Sequence, residues 1–194
     1  MNEKKATMLL GFASVATLAT VAFLGYRLYV QSQGPSQEEL QQQARASRQV
    51  SGETAQANIE ALLKVTLNDL DGKAQPFGQW NGKVRVINYW ATWCAPCVEE
   101  MPMFSRLQTT YAAKGVQFIG IGMDEIEKMQ AFVRKTPVGY PLLVGVTRPS
   151  ENPGLTVRGM PYTVVLDRDG KVAFSLYGAV KEADLAPLLA RLTQ

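Results

Sequence analysis

The sequence predicts an α/β domain with a mixed central β-sheet flanked by helices, preceded by one N-terminal transmembrane helix. Two observations carry this prediction. Apolar, β-branched segments alternate with helical segments over most of the second half of the 194-residue chain, and a β-hairpin and a final helix follow them. Near the N-terminus, an apolar stretch runs from Met8 to Val30.

The first predicted element is a transmembrane anchor from Met8 to Val30, broken only by Arg27 near its far end. About 20 apolar residues are enough for a helix to span a bilayer. Lys4 and Lys5 precede the stretch, so the positive-inside tendency predicts that residues 1–7 are cytoplasmic and that the chain after the anchor lies outside.

Two alternatives to an anchor exist for this stretch. A cleaved signal peptide would have a shorter apolar core and a small-x-small cleavage site, and the following residues QSQGPSQEEL offer no convincing one. A buried core helix would need apolar segments to enclose it, and nothing else in the chain is hydrophobic enough. The anchor is therefore the favoured interpretation.

Residues 31–59 are predicted to form a partly helical linker. They are rich in Gln, Ser and Ala and nearly free of large apolar side chains, so they cannot bury enough surface to fold alone. Ser36 and Glu39 have the spacing of a capping box, and good helix formers follow them. We therefore expect a spacer that tethers a folded domain to the membrane.

Residues 60–194 are predicted to form the folded domain. Its predicted strands are LLKVTLNDL, a short strand after the turn Asp71-Gly72, KVRVINYW, VQFIGIGM and YPLLVG, then YTVVLD and KVAFSLYG joined as a hairpin by Arg168-Asp169-Gly170. Its predicted helices are Ala95–Lys114, ended by Gly115, then EIEKMQAFVRK, and EADLAPLLARLT with Pro187 inside it. This order predicts a mixed sheet with helices on both faces.

Composition narrows the classes of function. A hydrophobic content of 46% and a charged content of 19% are typical of a globular domain. The formal net charge is only +3, and the basic residues are scattered singly along the chain. We therefore expect no nucleic-acid partner.

The chain has two cysteines, Cys94 and Cys97, and no histidine. Two cysteines are too few for a disulfide-stapled scaffold, and a zinc site would need about four nitrogen or sulfur ligands. Covalent haem attachment needs a histidine directly after the second cysteine, where this chain has Val98. A redox-active dithiol remains, against the alternative that both cysteines are small core residues.

Two segments, GKVRVINYWATWCAPCVEEMP and GMPYTVVLDRDGKV, carry a resemblance to a known family. They are similar to the membrane-anchored thiol-disulfide oxidoreductases of the TlpA/ResA type, relatives of those that serve cytochrome c maturation. The resemblance covers most of residues 62–192 and implies a thioredoxin-like fold. It also implies that no cofactor is needed beyond a redox-active Cys94–Cys97 disulfide.

The predicted helix begins directly after Cys94, which places this thiol at the positive end of the helix dipole. The dipole favours the thiolate, so Cys94 is the expected attacking residue. Cys97 lies three residues further along the same face, near disulfide range, and is expected to resolve the mixed disulfide. Ala95 and Pro96 between them are expected to tune the reduction potential.

Glu100 is a candidate proton carrier for Cys97. It lies three residues after Cys97 on the same helix face, where a half-buried carboxylate can accept or return the thiol proton, and it also matches the TlpA/ResA pattern. The alternative is that Glu99 and Glu100 are both solvated charges on the helix surface. Glu99 does not share the face of Cys97 and is expected to be such a charge. Asn88 stands where thioredoxin carries a buried acid, and we expect it to be a hydrogen-bonding core residue.

The remaining candidates surround the cysteines. The resemblance implies that Pro161 is a cis proline and that the backbone of Met160 is exposed beside Cys94, where an extended client segment can pair with it. The alternative is an ordinary trans proline at the start of a strand. Trp93 is expected to form an apolar contact surface, and Trp90 to be core.

The sequence therefore predicts a membrane-tethered thiol-disulfide reductase whose domain lies in the periplasm or its equivalent. Its expected partners are disulfide-containing client proteins, and the resemblance implies a membrane electron donor of the DsbD or CcdA type. The same site would also serve an oxidase or isomerase, because sequence does not set the reduction potential. A non-enzymatic assembly module is a third possibility, and a peroxidase a minor one.

The identity of the client is not encoded in any segment that we can interpret. Pro102, inside the predicted helix, is expected to be a structural kink. The loop Thr147–Arg158 and the segment Gly139-Tyr140-Pro141 are the places where client choice is expected to be shaped.

Overall fold

The protein is represented by a computed structural model that describes residues 23–27, 36, 38–39, 42, 52–145 and 157–194. The chain divides into two compact units, residues 1–46 and residues 47–194. In the first unit, residues 23–27 are helical, and the rest of the predicted anchor lies outside the described residues. No helix within the described ranges is long and apolar enough to cross a membrane.

The capping box predicted in the linker is confirmed. The backbone N–H of Ser36 donates to Oε2 of Glu39 at 2.7 Å, and the backbone N–H of Glu39 donates to Oγ of Ser36 at 3.2 Å. Residues 38, 39 and 42 are helical, as the helix formers after Ser36 predict.

The second unit contains four helices and seven strands among its described residues. In chain order they are α1 (Gly52–Leu62), β1 (Thr66–Asn68), β2 (Ala74–Pro76), β3 (Val84–Trp90), α2 (Ala95–Tyr111), β4 (Val116–Gly122), α3 (Ile126–Lys135), β5 (Leu142–Val144), β6 (Tyr162–Leu166), β7 (Val172–Tyr177) and α4 (Glu182–Leu192). Two short 3-10 helices, Phe77–Trp80 and Ala112–Lys114, follow β2 and α2.

The central sheet has five strands in the order β5-β4-β3-β6-β7. The strands β3, β4 and β5 are parallel to one another, whereas β6 pairs antiparallel with β3 and with β7. The predicted mixed sheet is therefore confirmed, and so is the final hairpin. β3 lies in the middle and all its residues are buried, which explains why five of its seven residues are β-branched or aromatic.

Side chains from the two faces of the sheet form two hydrophobic clusters. Val86 and Trp90 of β3 belong to one cluster, together with residues of α2 and α4. Ile87 and Tyr89 belong to the other, together with residues of α1 and of the short helix at Phe77. Because successive strand residues point to opposite faces, the sheet has helices on both faces, as predicted.

Helix α1 corrects the predicted domain boundary. Ala55, Ile59 and Leu62 are all buried, so the folded unit begins before residue 60, and Leu62 ends a helix instead of starting a strand. The three side chains recur at helical spacing and form a narrow apolar stripe within a polar segment. Gln56 fastens α1 to the sheet, because its Oε1 accepts from the backbone N–H of Val172 at 2.9 Å.

The predicted helix Ala95–Lys114 is α-helical only to Tyr111, and its last three residues form a 3-10 turn. Gly115 follows with φ +83°, the left-handed conformation that ends many helices and favours glycine. The helix contains Pro102, as predicted. Of the predicted loop Thr147–Arg158, residues 147–156 lie outside the described residues.

Candidate active site

The two cysteines are joined by a disulfide at the junction of β3 and α2. Cys94 is the N-cap residue of α2, with an extended backbone, and Cys97 lies in the first turn of the helix. Their Cα atoms are 5.3 Å apart. The alternative that the two cysteines are unlinked core residues is therefore not what the structure shows.

The two cysteines differ in how far they reach the surface. Cys94 is 6% exposed, whereas Cys97 is 0% exposed. Ala95 and Pro96, between them, are exposed, and Pro96 occupies the first turn of α2, where its missing N–H costs no hydrogen bond. An approaching molecule therefore meets Cys94 before it meets Cys97.

The two tryptophans near the cysteines have the placement that the sequence predicts. Trp93 is 68% exposed directly beside Cys94 and forms an apolar surface there. Trp90 is fully buried and packs against Phe132 of α3, with ring centroids 5.6 Å apart.

Glu100 is a buried carboxylate on the active-site helix. Its Oε2 accepts a hydrogen bond of 2.6 Å from the backbone N–H of Val180, and its Oε1 has no hydrogen-bond partner among the described residues. Burial raises the pKa of Glu100 to about 7, although the bond from Val180 acts in the opposite direction. Glu99 is exposed, so only Glu100 lies on the buried face of α2.

Asn88 is a buried, hydrogen-bonding residue of β3, as predicted. Its Nδ2 donates to Oγ1 of Thr163 at 3.1 Å, and the two residues are direct neighbours across β3 and β6. Its Oδ1 has no partner within the described part of the chain.

The peptide bond between Met160 and Pro161 is cis, as the resemblance implies. Pro161 is buried, and its carbonyl oxygen accepts from the backbone N–H of Gly178 at 2.8 Å, which ties the segment to the end of β7. Met160 is half-buried and packs against both hydrophobic clusters.

Thr92 and Asp124 form a contact that the sequence analysis missed. The backbone N–H of Thr92 donates to Oδ2 of Asp124 at 3.1 Å, and the Thr92 hydroxyl donates to the same oxygen. Burial would raise the pKa of Asp124, but the hydrogen bonds from Thr92 and from the backbone N–H of Glu125 outweigh it and lower that pKa. A signal existed, because the carboxyl ends of parallel neighbours β3 and β4 must meet at one edge of the sheet.

Tyr140 is a second residue whose place in the site the sequence did not predict. The sequence predicts only that its segment, Gly139-Tyr140-Pro141, shapes client choice. Tyr140 is 7% exposed, and its hydroxyl oxygen has no hydrogen-bond partner among the described residues. Burial, and then the nearby charge of Glu100, raise its pKa. Tyr140 also lines a surface groove of about 420 Å³ with Asp69, Val133 and Leu142, and no cysteine lines that groove.

The chain matches the Redoxin family over residues 51–190. It is 32% identical over 129 residues to the thiol-disulfide oxidoreductase ResA of Bacillus cereus, which covers 66% of this chain and 73% of that protein. It is 28% identical over 120 residues to ResA of Geobacillus thermodenitrificans, covering 61% and 68% of the two chains.

Solved structures are similar over the same part of the chain. A secreted Mycobacterium tuberculosis disulfide oxidoreductase, described as homologous to E. coli DsbE, is 25% identical with a TM-score of 0.59, covering 66% of this chain and 96% of that one. The structure of MTB DsbF is 27% identical with a TM-score of 0.60, covering 68% and 97% of the two chains.

Proposed function

This chain belongs to the Redoxin family, and we propose that it reduces disulfides in extracytoplasmic client proteins. The chain is a thiol-disulfide oxidoreductase with a thioredoxin-like fold and a Cys-x-x-Cys pair. One observation carries the proposal: the pair closes at the start of α2 with a small part of Cys94 exposed and Cys97 fully enclosed.

In the first step, the thiolate of reduced Cys94 attacks one sulfur of a client disulfide. A bond forms between Cys94 Sγ and that sulfur, the client bond breaks, and the other client sulfur leaves as a thiolate and takes up a proton. The exposure of Cys94 and its place at the positive end of α2 support this assignment.

In the second step, the thiolate of Cys97 attacks Sγ of Cys94. The Cys94–Cys97 bond forms, the mixed disulfide breaks, and the client leaves with its second thiol, so two electrons pass from the protein to the client. Cys97 is fully enclosed, which favours the neutral thiol, and it therefore needs a nearby base.

Glu100 is the base that we assign to Cys97. The two residues are one helical turn apart on the buried side of α2, and the raised pKa of about 7 lets the carboxyl both take and return a proton near neutral pH. Asn88, without a titratable group, leaves this task to Glu100.

Trp93, Met160 and Pro161 form the proposed contact surface for the client. Trp93 supplies an exposed apolar side chain beside Cys94. The backbone next to the cis peptide bond at Pro161 suits pairing with an extended client segment. Precursors of cytochrome c or of another metalloprotein are the proposed clients, on the resemblance to the TlpA/ResA type.

The proposed location is the cytoplasmic membrane, with the second unit on its outer side. The apolar stretch Met8–Val30 and the lysines before it support a single-pass anchor with a cytoplasmic N-terminus. That compartment is oxidising, so a reductase there must be re-reduced, and we assign this task to a membrane electron donor of the DsbD or CcdA type.

The decisive experiment is a redox titration of the Cys94/Cys97 couple. A reductase is expected to have a reduction potential near that of thioredoxin, about −270 mV. A value of about −120 mV would show an oxidant and overturn the proposed direction of electron transfer.

Trapping tests the order of attack. Full-length Cys97→Ser is expected to accumulate client mixed disulfides through Cys94, and the matched Cys94→Ser variant is expected to accumulate none. Equal trapping by both variants would contradict the assigned roles.

A further inference from the structure

Two buried polar atoms near the active site have no hydrogen-bond partner among the described residues. One is Oε1 of Glu100, an acceptor when the carboxylate is charged, and the other is the hydroxyl of Tyr140, a donor. Leaving either atom buried and unsatisfied destabilises the folded protein, and more so for a charged group. The two atoms have complementary hydrogen-bonding capacity.

The fold brings these two side chains to the same place. Phe104 lies four residues after Glu100, on the same face of α2, and the ring of Tyr140 meets the ring of Phe104 edge to face, with centroids 6.3 Å apart. Tyr140 also packs against Phe118 of β4 at 6.1 Å. The Tyr140 ring is therefore held against the face of α2 that carries Glu100.

The backbone before β5 holds Tyr140 in this position. The carbonyl oxygen of Pro141 accepts from the backbone N–H of Gly120 in β4 at 2.9 Å. Gly139, on the other side, donates its backbone N–H to Oγ of Ser105 on α2 at 3.1 Å. The segment is thus tied to both the sheet and the active-site helix, and Tyr140 has little freedom to turn away.

Other charged groups of α2 and α4 around Glu100 are turned to solvent, and the buried Arg85 of β3 lies on the opposite face of the sheet from Asn88, where its Nη1 donates to Asn81. On α2, Arg106 is exposed and pairs with exposed Glu182 of α4 at 3.3 Å. Lys181 and Asp184 are exposed and belong to the cap of α4. The segment between β7 and α4 offers Glu100 only the backbone N–H of Val180, and β3 offers the neutral Asn88.

We propose that Tyr140 is a positioning residue for Glu100. Its hydroxyl donates a hydrogen bond through one bridging water molecule to Oε1 of the charged carboxylate, and holds the carboxylate one helical turn from Cys97. When Glu100 takes the proton of Cys97, the protonated carboxyl keeps its bond from Val180, and the bridging water can turn to accept its new O–H.

The inference deepens the proposed function, because it gives Glu100 the setting in which it moves a proton. A donor to the charged form lowers the proton affinity of a carboxylate. Removing that donor should therefore raise the pKa of Glu100, by about one pH unit if the bond has the usual strength of a hydrogen bond to a charged group.

The experiment compares Tyr140→Phe with Tyr111→Phe in the full-length protein. Tyr111 is a matched control, because it is also largely buried in the same cluster, but its hydroxyl donates to the carbonyl of Ala186 at 3.2 Å. The readout is the pH titration of the Glu100 carboxyl carbon by NMR in the oxidised protein, assigned with Glu100→Gln. Thermal unfolding shows whether each variant remains folded.

The expected result is a higher Glu100 pKa in Tyr140→Phe and an unchanged one in Tyr111→Phe. An unchanged pKa in folded Tyr140→Phe, or equal shifts in both variants, would overturn the inference. The pH–rate profile of mixed-disulfide resolution by Cys97 should move in the same direction in Tyr140→Phe.

The failure of the inference is distinguishable from that of the proposed function. If Glu100→Gln resolves mixed disulfides at the wild-type rate at every pH, the proton role of Glu100 is wrong, but a shifted carboxyl titration in Tyr140→Phe still supports the contact. If Glu100→Gln is slow and the titration does not move, the proton role stands and the contact with Tyr140 is wrong.

Discussion

The carboxylate of Glu100 accepts a hydrogen bond of 2.6 Å from the backbone N–H of Val180, a residue 80 positions further along the chain. Glu100 belongs to the active-site helix, and Val180 lies between β7 and α4, so the contact joins the active-site helix to the C-terminal part of the folded unit. The hydrogen bond from this one neutral donor does not offset the cost of burying the charged carboxylate. The pKa of Glu100 is therefore raised to about 7.

The first prediction concerns the stability of the oxidised protein against pH. The Glu100 carboxyl binds its proton more tightly in the folded state than in the unfolded chain, where its pKa is about 4.5. The free energy of unfolding should therefore fall as pH rises from about 4.5 through about 7, by on the order of 3 kcal/mol. Urea unfolding at a series of pH values measures this.

Glu100→Gln is the matched variant, because its amide oxygen can still accept from Val180. It should lack this decline and be more stable than wild type at pH 8, where the wild-type carboxyl is charged. Parallel curves for the two proteins would show that Glu100 does not titrate in this range.

The second prediction concerns Trp93, whose side chain is 68% exposed beside Cys94. Trp93→Ala should slow the reduction of a protein disulfide several-fold, because the apolar contact surface is lost, and leave the reduction of a small disulfide nearly unchanged. Stopped-flow kinetics with both substrates measure the difference. The unfolding free energy should change by no more than about 0.5 kcal/mol, as expected for an exposed position.

Glu99→Ala is the control for this prediction, since Glu99 is exposed in the first turns of α2, six residues after Trp93, but is not apolar. It should leave the rates with both substrates near wild type. An equal loss with both substrates in Trp93→Ala would mean that Trp93 affects the disulfide chemistry and not client contact.

The parts of the fold that the sequence predicts best are those where local pattern and tertiary packing agree. β3 is rich in β-branched and aromatic residues because it is buried on both faces, with only Arg85 and Asn88 polar, and α2 is marked by Cys94-Ala95-Pro96 at its start and Gly115 after its end. For α1, the local pattern and the tertiary packing disagree, because its few apolar residues, Ile59 among them, lie in a Gln- and Ala-rich segment. The apolar stripe of α1 can be recognised only from its packing against the sheet.

The candidate site also contains residues that the sequence predicts well and residues that it does not. Cys94, Cys97 and Glu100 lie close together in the sequence on one helix, so their spacing predicts their proximity. The partners of the site come from distant segments: Asp124 approaches Thr92 across two strands, and Tyr140 approaches Glu100 from the start of β5. The parallel pairing of β3 and β4 indicates that Thr92 and Asp124 lie at one edge of the sheet, but no pattern in a single sequence pairs Tyr140 with Glu100.

The third prediction tests the corrected start of the folded unit. Ile59 of α1 is 1% exposed, so Ile59→Ala should cost about 2–5 kcal/mol of unfolding free energy. The neighbouring Glu60→Ala, at an exposed position, should cost less than about 0.5 kcal/mol. Chemical denaturation of both variants measures this, and a similar, small effect for the two would mean that α1 does not belong to the folded unit.

The fourth prediction concerns the hydroxyl of Thr92, which donates to the buried carboxylate of Asp124 just before the exposed Trp93. Thr92→Val should lower the unfolding free energy by about 1–2 kcal/mol, because the carboxylate loses one donor, whereas Thr92→Ser keeps the hydroxyl and should lose much less.

The pH dependence of this effect has the opposite sign to that of Glu100. The folded pKa of Asp124 is lowered, so its contribution to stability is present above the unfolded pKa of about 3.8 and is lost as pH falls through the folded value. The difference between Thr92→Val and Thr92→Ser should therefore be largest near neutral pH and shrink in acid, as urea unfolding at pH 7 and at about pH 3 would show. A difference that is the same at both pH values would mean that the valine acts through packing and not through the carboxylate.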